Sequence, residues 1–382
     1  MSTKVSEFKI AMVAPSRIGK TSLVTAILKD TKELLSGTPL SITPADAKTR
    51  ARIRQHANQL SGSLLGREFD AGAMSGTQAA FDFNLLLSST VQEESSLKLK
   101  LLDFPGGWLP NLSHGEGSEE QRECAAFVRQ ASVLLLVVDA SLVMEASSRS
   151  EINAVKTILN IPETEEIVEG WNKARHKVPN DPALIIICPV KCESYFNDNG
   201  GGCNNSEELY QKIWRLYREM IDAVIAEYPG KTDILYMPVD TVGCVEFSHA
   251  EWDNLNTDKP VFKPSFCVRG GATELRVRGA NDILLAVSKQ VINYQKKWTQ
   301  QVKEDSSKKA EEARRVAKNK GFWQSLASIF GETASDKAAK AASEDADKAL
   351  KNAQTTADLM QALARKKFGD RVRVICSTEV TE

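Results

Sequence analysis

The residues with the most chemical content stand near the start of the chain. Phe8-Lys9-Ile10-Ala11-Met12-Val13 reads as a buried strand, Ala14-Pro15-Ser16-Arg17-Ile18-Gly19-Lys20-Thr21 as a tight loop, and Ser22-Leu23-Val24 as the opening of a helix. Strand, loop, Gly-Lys-Thr and helix in this order make the P-loop pattern, with Ala14 in place of the first glycine. Backbone N–H groups and a helix N-terminus together form an anion site. Lys20 would bridge the terminal phosphates of a nucleotide, and the Thr21 hydroxyl would ligand Mg²⁺. Residues Ala14, Pro15, Ser16, Arg17, Ile18, Gly19, Lys20, Thr21 and Ser22 are therefore the candidate phosphate-side residues. A methyl group at position 14 still leaves the loop tight.

Four further strings follow in order. Ser75-Gly76-Thr77 precedes a strand-like run at 79–87, and Asp103-Phe104-Pro105-Gly106 closes the apolar run 97–102. Pro189-Val190-Lys191-Cys192-Glu193 follows the run 183–188, and Asp240-Thr241-Val242-Gly243 follows the run 234–239. With the P-loop, these strings resemble the five motifs of a Ras-like P-loop GTPase of the translation-factor-related superclass. The resemblance covers residues 8 to about 295. Arg17-Ile18-Gly19-Lys20-Thr21-Ser22-Leu23, Asp103-Phe104-Pro105-Gly106-Gly107-Trp108 and Pro238-Val239-Asp240-Thr241-Val242-Gly243 are most similar to bacterial double-GTPase-type modules.

The resemblance implies GTP or GDP and Mg²⁺ as cofactors. It implies that Asp103 holds the metal through water, that Thr77 caps the metal and the γ-phosphate beside Thr21, and that the Gly106 amide binds the γ-phosphate. Lys191 stands where a lysine stem packs on the base, Glu193 where the family carries Asp, and Val190 where it carries a polar residue. Thr241 and Val242 fall in the base-contacting loop. Glutamate is one methylene longer than aspartate but keeps the acceptor pair that guanine needs, and a carboxylate there repels the acceptor edge of adenine. That favours GTP and leaves an ATPase open. Gly107 occupies the position of the water-orienting glutamine. Arg17 occupies the position at which guanylate-binding and atlastin-type GTPases carry an internal arginine finger. It either neutralises developing phosphoryl charge or points away and braces the loop. The expected catalytic set is Arg17, Lys20, Thr77 and Gly106. Modules of this type are often encoded in conflict or anti-phage systems beside effector proteins, which implies control of a partner effector.

These motifs need a frame that brings loop ends together. Apolar runs alternate with helical patterns at about 19–36, 45–60, 118–131, 149–174, 206–227 and 280–300, which predicts an α/β, mostly parallel sheet with helices on both faces. The runs 79–87 and 97–102 are too close for a crossover helix, so they predict one antiparallel hairpin strand. The expected organisation is a P-loop GTPase domain over 1–298 with a helical insertion at about 37–70, a helical extension over 299–370, and a C-terminal strand and tail over 371–382. Within the insertion, Lys48, Arg50, Arg52 and Arg54 read as a solvated basic helix face rather than a source of a catalytic arginine. The four histidines, His56, His114, His176 and His249, form no catalytic or metal spacing and read as incidental.

Composition narrows the function classes. The chain has 382 residues, 49 Lys+Arg against 50 Asp+Glu and a net charge of -1, which argues against a dedicated nucleic-acid binder. It shows no secretory h-region, no run near the roughly 18 apolar residues of a membrane span, and no zinc spacing among its cysteines, so a reducing cytoplasm is expected. Beyond residue 300 the chain turns polar and helical around an apolar island at 322–330 containing Phe322, Trp323 and Phe330. That island packs on the sheet, docks a partner or touches a membrane surface. The leading reading is a slow, Mg²⁺-dependent GTP-hydrolysing switch acting on a protein effector. The alternatives are a self-assembling or membrane-associated mechanochemical GTPase and a non-hydrolysing scaffold.

Overall fold

The computed structural model describes residues 6–65, 68–69, 77–89, 96–177, 183–272, 274–305, 361 and 363–378. The elements in chain order are β1 (Ser6–Val13), α1 (Lys20–Leu35), β2 (Leu40–Pro44), α2 (Ala47–Ser63), β3 (Glu68–Phe69), β4 (Phe81–Ser89) and β5 (Ser96–Asp103). Next come α3 (Leu109–His114), α4 (Glu119–Gln130), β6 (Val133–Asp139), α5 (Ala140–Glu145), α6 (Arg149–Ile158), α7 (Ile161–Arg175) and β7 (Leu184–Val190). The last are α8 (Ser206–Glu227), β8 (Asp233–Tyr236), β9 (Val245–Asp253), β10 (Val261–Val268), α9 (Asn281–Asp305) and β11 (Arg373–Cys376).

The main sheet has the order β11-β8-β7-β6-β1-β5-β4-β2. Strands β5, β1, β6, β7 and β8 are parallel. Every residue of β6 and β7 is buried, because these unbroken apolar strands carry helices on both faces. β5 alternates, burying Leu97, Leu99 and Leu101 while Lys98 and Lys100 lie half-exposed between them. The expected hairpin is present: β4 runs antiparallel to β5, with Phe81 opposite Asp103.

The structure adds three things to the expected α/β frame. The stretch 37–70, expected to be helical, contains α2 but also β2 and β3. Leu40 and Ile42 are buried on one side of β2, which forms the sheet edge against β4. The helix expected over 149–174 is two helices, broken at Asn160, whose φ of 47° is left-handed, with Pro162 opening α7. A separate antiparallel sheet, β3-β10-β9, stands beside the main one. Its small core packs Leu60, Leu64, Phe69 and Phe266 with Val242, Cys244 and Val245. β11 joins the main sheet antiparallel to β8. The island at 322–330 lies outside the described residues.

Because β1, β5, β6, β7 and β8 are parallel, their carboxyl ends share one edge of the sheet. The loops after β1, β5, β7 and β8 leave from that edge, and the antiparallel β4 begins there, just after Thr77. Ligands of open α/β sheets bind at such an edge.

Candidate nucleotide site

A solvent-open cleft of about 850 Å³ runs along this edge. The loop from β1 to α1, the expected phosphate side, forms one wall of it. Gly19 caps α1 with φ 115°, a conformation that disfavours any side chain. Val190 Cγ2 would stand 3.7 Å from a β-carbon on Gly19, so this apolar side chain packs on the loop. Ala14 and Ile18 point into the core, while Ser16, Arg17, Gly19, Lys20, Thr21 and Ser22 line the cleft. Pro15 is buried and contributes its carbonyl. Arg17 is exposed and holds φ 64°.

Lys20 Nζ donates to the carbonyls of Ala14 and Pro15, at 2.9 Å each. Burial pushes its pKa down to about 8, opposed by the negative charge of Asp103. A bound anion would take over these donors and hold the lysine charged.

The metal-side candidates meet at one atom. Thr21 Oγ1 donates to Asp103 Oδ2 at 2.9 Å, and Thr77 Oγ1 donates to the same oxygen at 3.0 Å. Asp103 is 1% exposed, and its Oδ1 has no hydrogen-bond partner among the described residues. Burial raises the Asp103 pKa, while the Lys20 charge and the two hydroxyl bonds pull it down. No cluster of three His, Cys, Asp or Glu able to hold a metal occurs among the described residues. One carboxylate with an orphaned oxygen and two hydroxyls is instead a sparse, hard-oxygen set. It fits Mg²⁺, which keeps several waters and takes phosphate oxygens.

Gly106 enters the cleft from the loop after β5. Lys191, Glu193, Thr241 and Val242, the residues expected on the base side, also line the cleft. Lys191, at φ 59°, ion-pairs with Asp139 Oδ2. Asp139 Oδ1 accepts from the Ser141 and Leu142 amides at 3.0 and 3.2 Å and from the Ser141 hydroxyl at 2.6 Å. Glu193 is 2% exposed. Its Oε1 accepts from the Val242 and Gly243 amides at 2.8 and 3.1 Å, and its Oε2 has no partner among the described residues. Burial, then the neighbouring Asp240, push the Glu193 pKa up to about 7.

The structure thus brings both halves of the expected site to one cleft, with Asp103 bonded beneath Thr21 and Thr77. It also adds residues that sequence reasoning missed. His56, read as incidental, lines the cleft from α2, and its Nε2 hydrogen-bonds Ser22 Oγ at 3.0 Å. Burial, then the Arg52 charge, push the His56 pKa down to about 4. Phe69, Val245 and Phe266 form an apolar wall from the second sheet, with Phe69 and Phe266 edge-to-face at 6.5 Å. Asp139 carried a usable signal, an acid ending an all-apolar strand; His56 and the wall did not.

No family model matches the chain, and no curated protein matches it. Among solved structures, the crystal structure of sup35 complexed with GDP aligns with 62% of this chain and 38% of that chain, at 17% identity and a TM-score of 0.29. The chain therefore spans well under half the length of that protein. Among the described residues no helix is long and apolar enough to cross a membrane.

Proposed function

We propose that the chain binds GTP and GDP with Mg²⁺ and hydrolyses GTP slowly, as a molecular switch of the translation-factor-like type. One observation carries the reading: Thr21, in the first turn of α1, and Thr77, ahead of β4, line the cleft with Lys20, Lys191 and Glu193, and both donate to the buried Asp103. In this reading the loop amides and Lys20 bind the phosphates, and Thr21, Thr77 and Asp103 hold the cation. When bound, Mg²⁺ neutralises charge on the β- and γ-phosphates. Gly106 offers its amide to the γ-phosphate, and Arg17, at the mouth of the cleft, neutralises charge on the transferred group. Lys191 covers one face of the base and Glu193 accepts from its N–H edge.

Gly107 has no side chain to orient water, so the unassisted rate is low, and the loops around Thr77 and Gly106 report the bound state to a partner. Control of an effector in a bacterial defence setting is the outer part of the proposal and rests on motif similarity alone. The test is calorimetric titration with GTP and ATP analogues in magnesium, with Lys20→Ala as control. GTP-analogue binding that is lost in Lys20→Ala supports the reading; equal heats from the two proteins would overturn it.

A further inference from the structure

Arg371 belongs to none of the motifs, yet it is the most heavily bonded cation near the cleft among the described residues. It is 7% exposed. Its Nη1 donates to Asp240 Oδ1 and its Nη2 to Asp240 Oδ2, both at 2.9 Å. Its Nε donates to Asp198 Oδ2 at 2.9 Å, and its Nη2 also reaches Asp198 Oδ1. The guanidinium lies over the Phe196 ring, 4.1 Å from its centroid.

The two carboxylates belong to different loops. Asp198 follows Lys191 and Glu193 in the connection from β7 to α8, and Asp240 opens the loop of Thr241 and Val242. These loops meet again at the cleft, where Glu193 accepts the Val242 and Gly243 amides. Asn199 Nδ2, bonded to Asp240 Oδ2 at 2.9 Å and to the Arg276 carbonyl at 2.7 Å, ties them once more. The arginine is itself fixed. Gly369 N donates to Asp282 Oδ1 at 2.9 Å on one side, and β11 pairs with β8 on the other.

For stability alone, an apolar plug of similar volume would serve as well as a buried arginine with two carboxylates. What the planar fork adds is one permitted placement of two loops relative to each other. We infer that Arg371 is a positioning residue for the base-side half of the cleft, and that residues 369–378 latch the loops that hold a purine nucleotide in place. The inference rests on the nucleotide reading above and adds a determinant of how long the nucleotide stays.

The test compares GDP dissociation from the full chain with that from Arg371→Ala, Arg371→Lys and Asp198→Asn, using tripolyphosphate as a probe of the phosphate side alone. GDP is expected to leave Arg371→Ala about tenfold faster, as it would after a loss of one strong charged contact. Lysine does not rescue, because a point charge cannot span both carboxylates. Asp198→Asn, whose carboxylate is 31% exposed, keeps the experiment decisive if the arginine variants fail to fold. It should release GDP about threefold faster. Tripolyphosphate affinity stays at the full-chain value in every folded variant. Wild-type dissociation in a folded variant, or tripolyphosphate weakened as much as GDP, overturns the latch. If the unmodified chain binds GDP no better than Lys20→Ala, the nucleotide reading fails and the latch with it. Normal binding with unmoved variants removes the latch only.

Discussion

Gly106 rests on Ser16 so closely that a methyl group on its α-carbon would stand 1.9 Å from the Ser16 nitrogen and 2.0 Å from the Pro15 carbonyl carbon. The loop after β5 therefore lies directly on the phosphate-binding loop, and close approach of two backbones is what requires glycine there.

Gly106→Ala forces these loops apart. Overpacking of this kind costs about 1–3 kcal/mol. GTP turnover should fall at least about tenfold, with GDP affinity changed far less, because only the triphosphate needs the Gly106 amide in place. Single-turnover hydrolysis beside GDP titration checks this; equal losses for both nucleotides would count against it.

Arg17→Ala should lower kcat at least about tenfold while nucleotide affinity stays nearly constant. Arg17 also holds a left-handed φ of 64°. Arg17→Gly should therefore lose the same turnover yet gain about 1 kcal/mol of stability from relieved backbone strain. An unchanged kcat in both variants would remove the arginine from the chemistry.

His56 gives the fold an acid-side weakness. Its folded pKa of about 4 lies below the ordinary histidine value, because burial and Arg52 disfavour the charged ring. Below pH 6.5 the unfolded chain takes up a proton that the folded chain refuses, so stability falls as the pH drops towards 4. The loss from this group between pH 7 and 5 is about 2 kcal/mol. Denaturant melts of the chain and of His56→Gln should diverge over that range, the variant showing the shallower slope.

Glu193→Gln replaces the unpaired Oε2 acceptor with a donor wherever the remaining carbonyl keeps the Val242 and Gly243 amides. GTP affinity should fall about thirtyfold, with ATP affinity held or improved. In the unmodified chain the Glu193 pKa of about 7 adds a pH dependence. Protonation below that value removes the carboxylate acceptor, so GTP binding weakens from pH 8 to pH 6, and Glu193→Gln should flatten that profile. Competition binding of GTP and ATP at several pH values measures both effects.

Much of this was legible in the sequence because it depends on local pattern. The unbroken apolar runs of β6 and β7 announced central parallel strands, and four of the five motif strings stood where an apolar strand ends, Ser75-Gly76-Thr77 standing ahead of one. The second sheet was not legible. β9 and β10 are half-exposed, with His249 and Glu251 beside Trp252, and show no run of the kind that marks a buried strand. His56 and Arg371 gave no local sign, since their meaning comes from partners 34 and 131 or more positions away. Nothing near Arg371 in the chain resembles a nucleotide motif.

The pairing of β11 with β8 also has a consequence in time. A chain emerging from the ribosome presents β1, the Gly-Lys-Thr loop and then the outer edge of β8 long before Arg373 and Val374 exist to cover that edge. Until then an unpaired strand edge is open to other chains. On the proposed reading, the loop of Gly19, Lys20 and Thr21 is synthesised long before Arg371, the residue inferred to latch the loops of Glu193 and Val242. A chain lacking Arg371 would, on that reading, release GDP sooner than one that carries it.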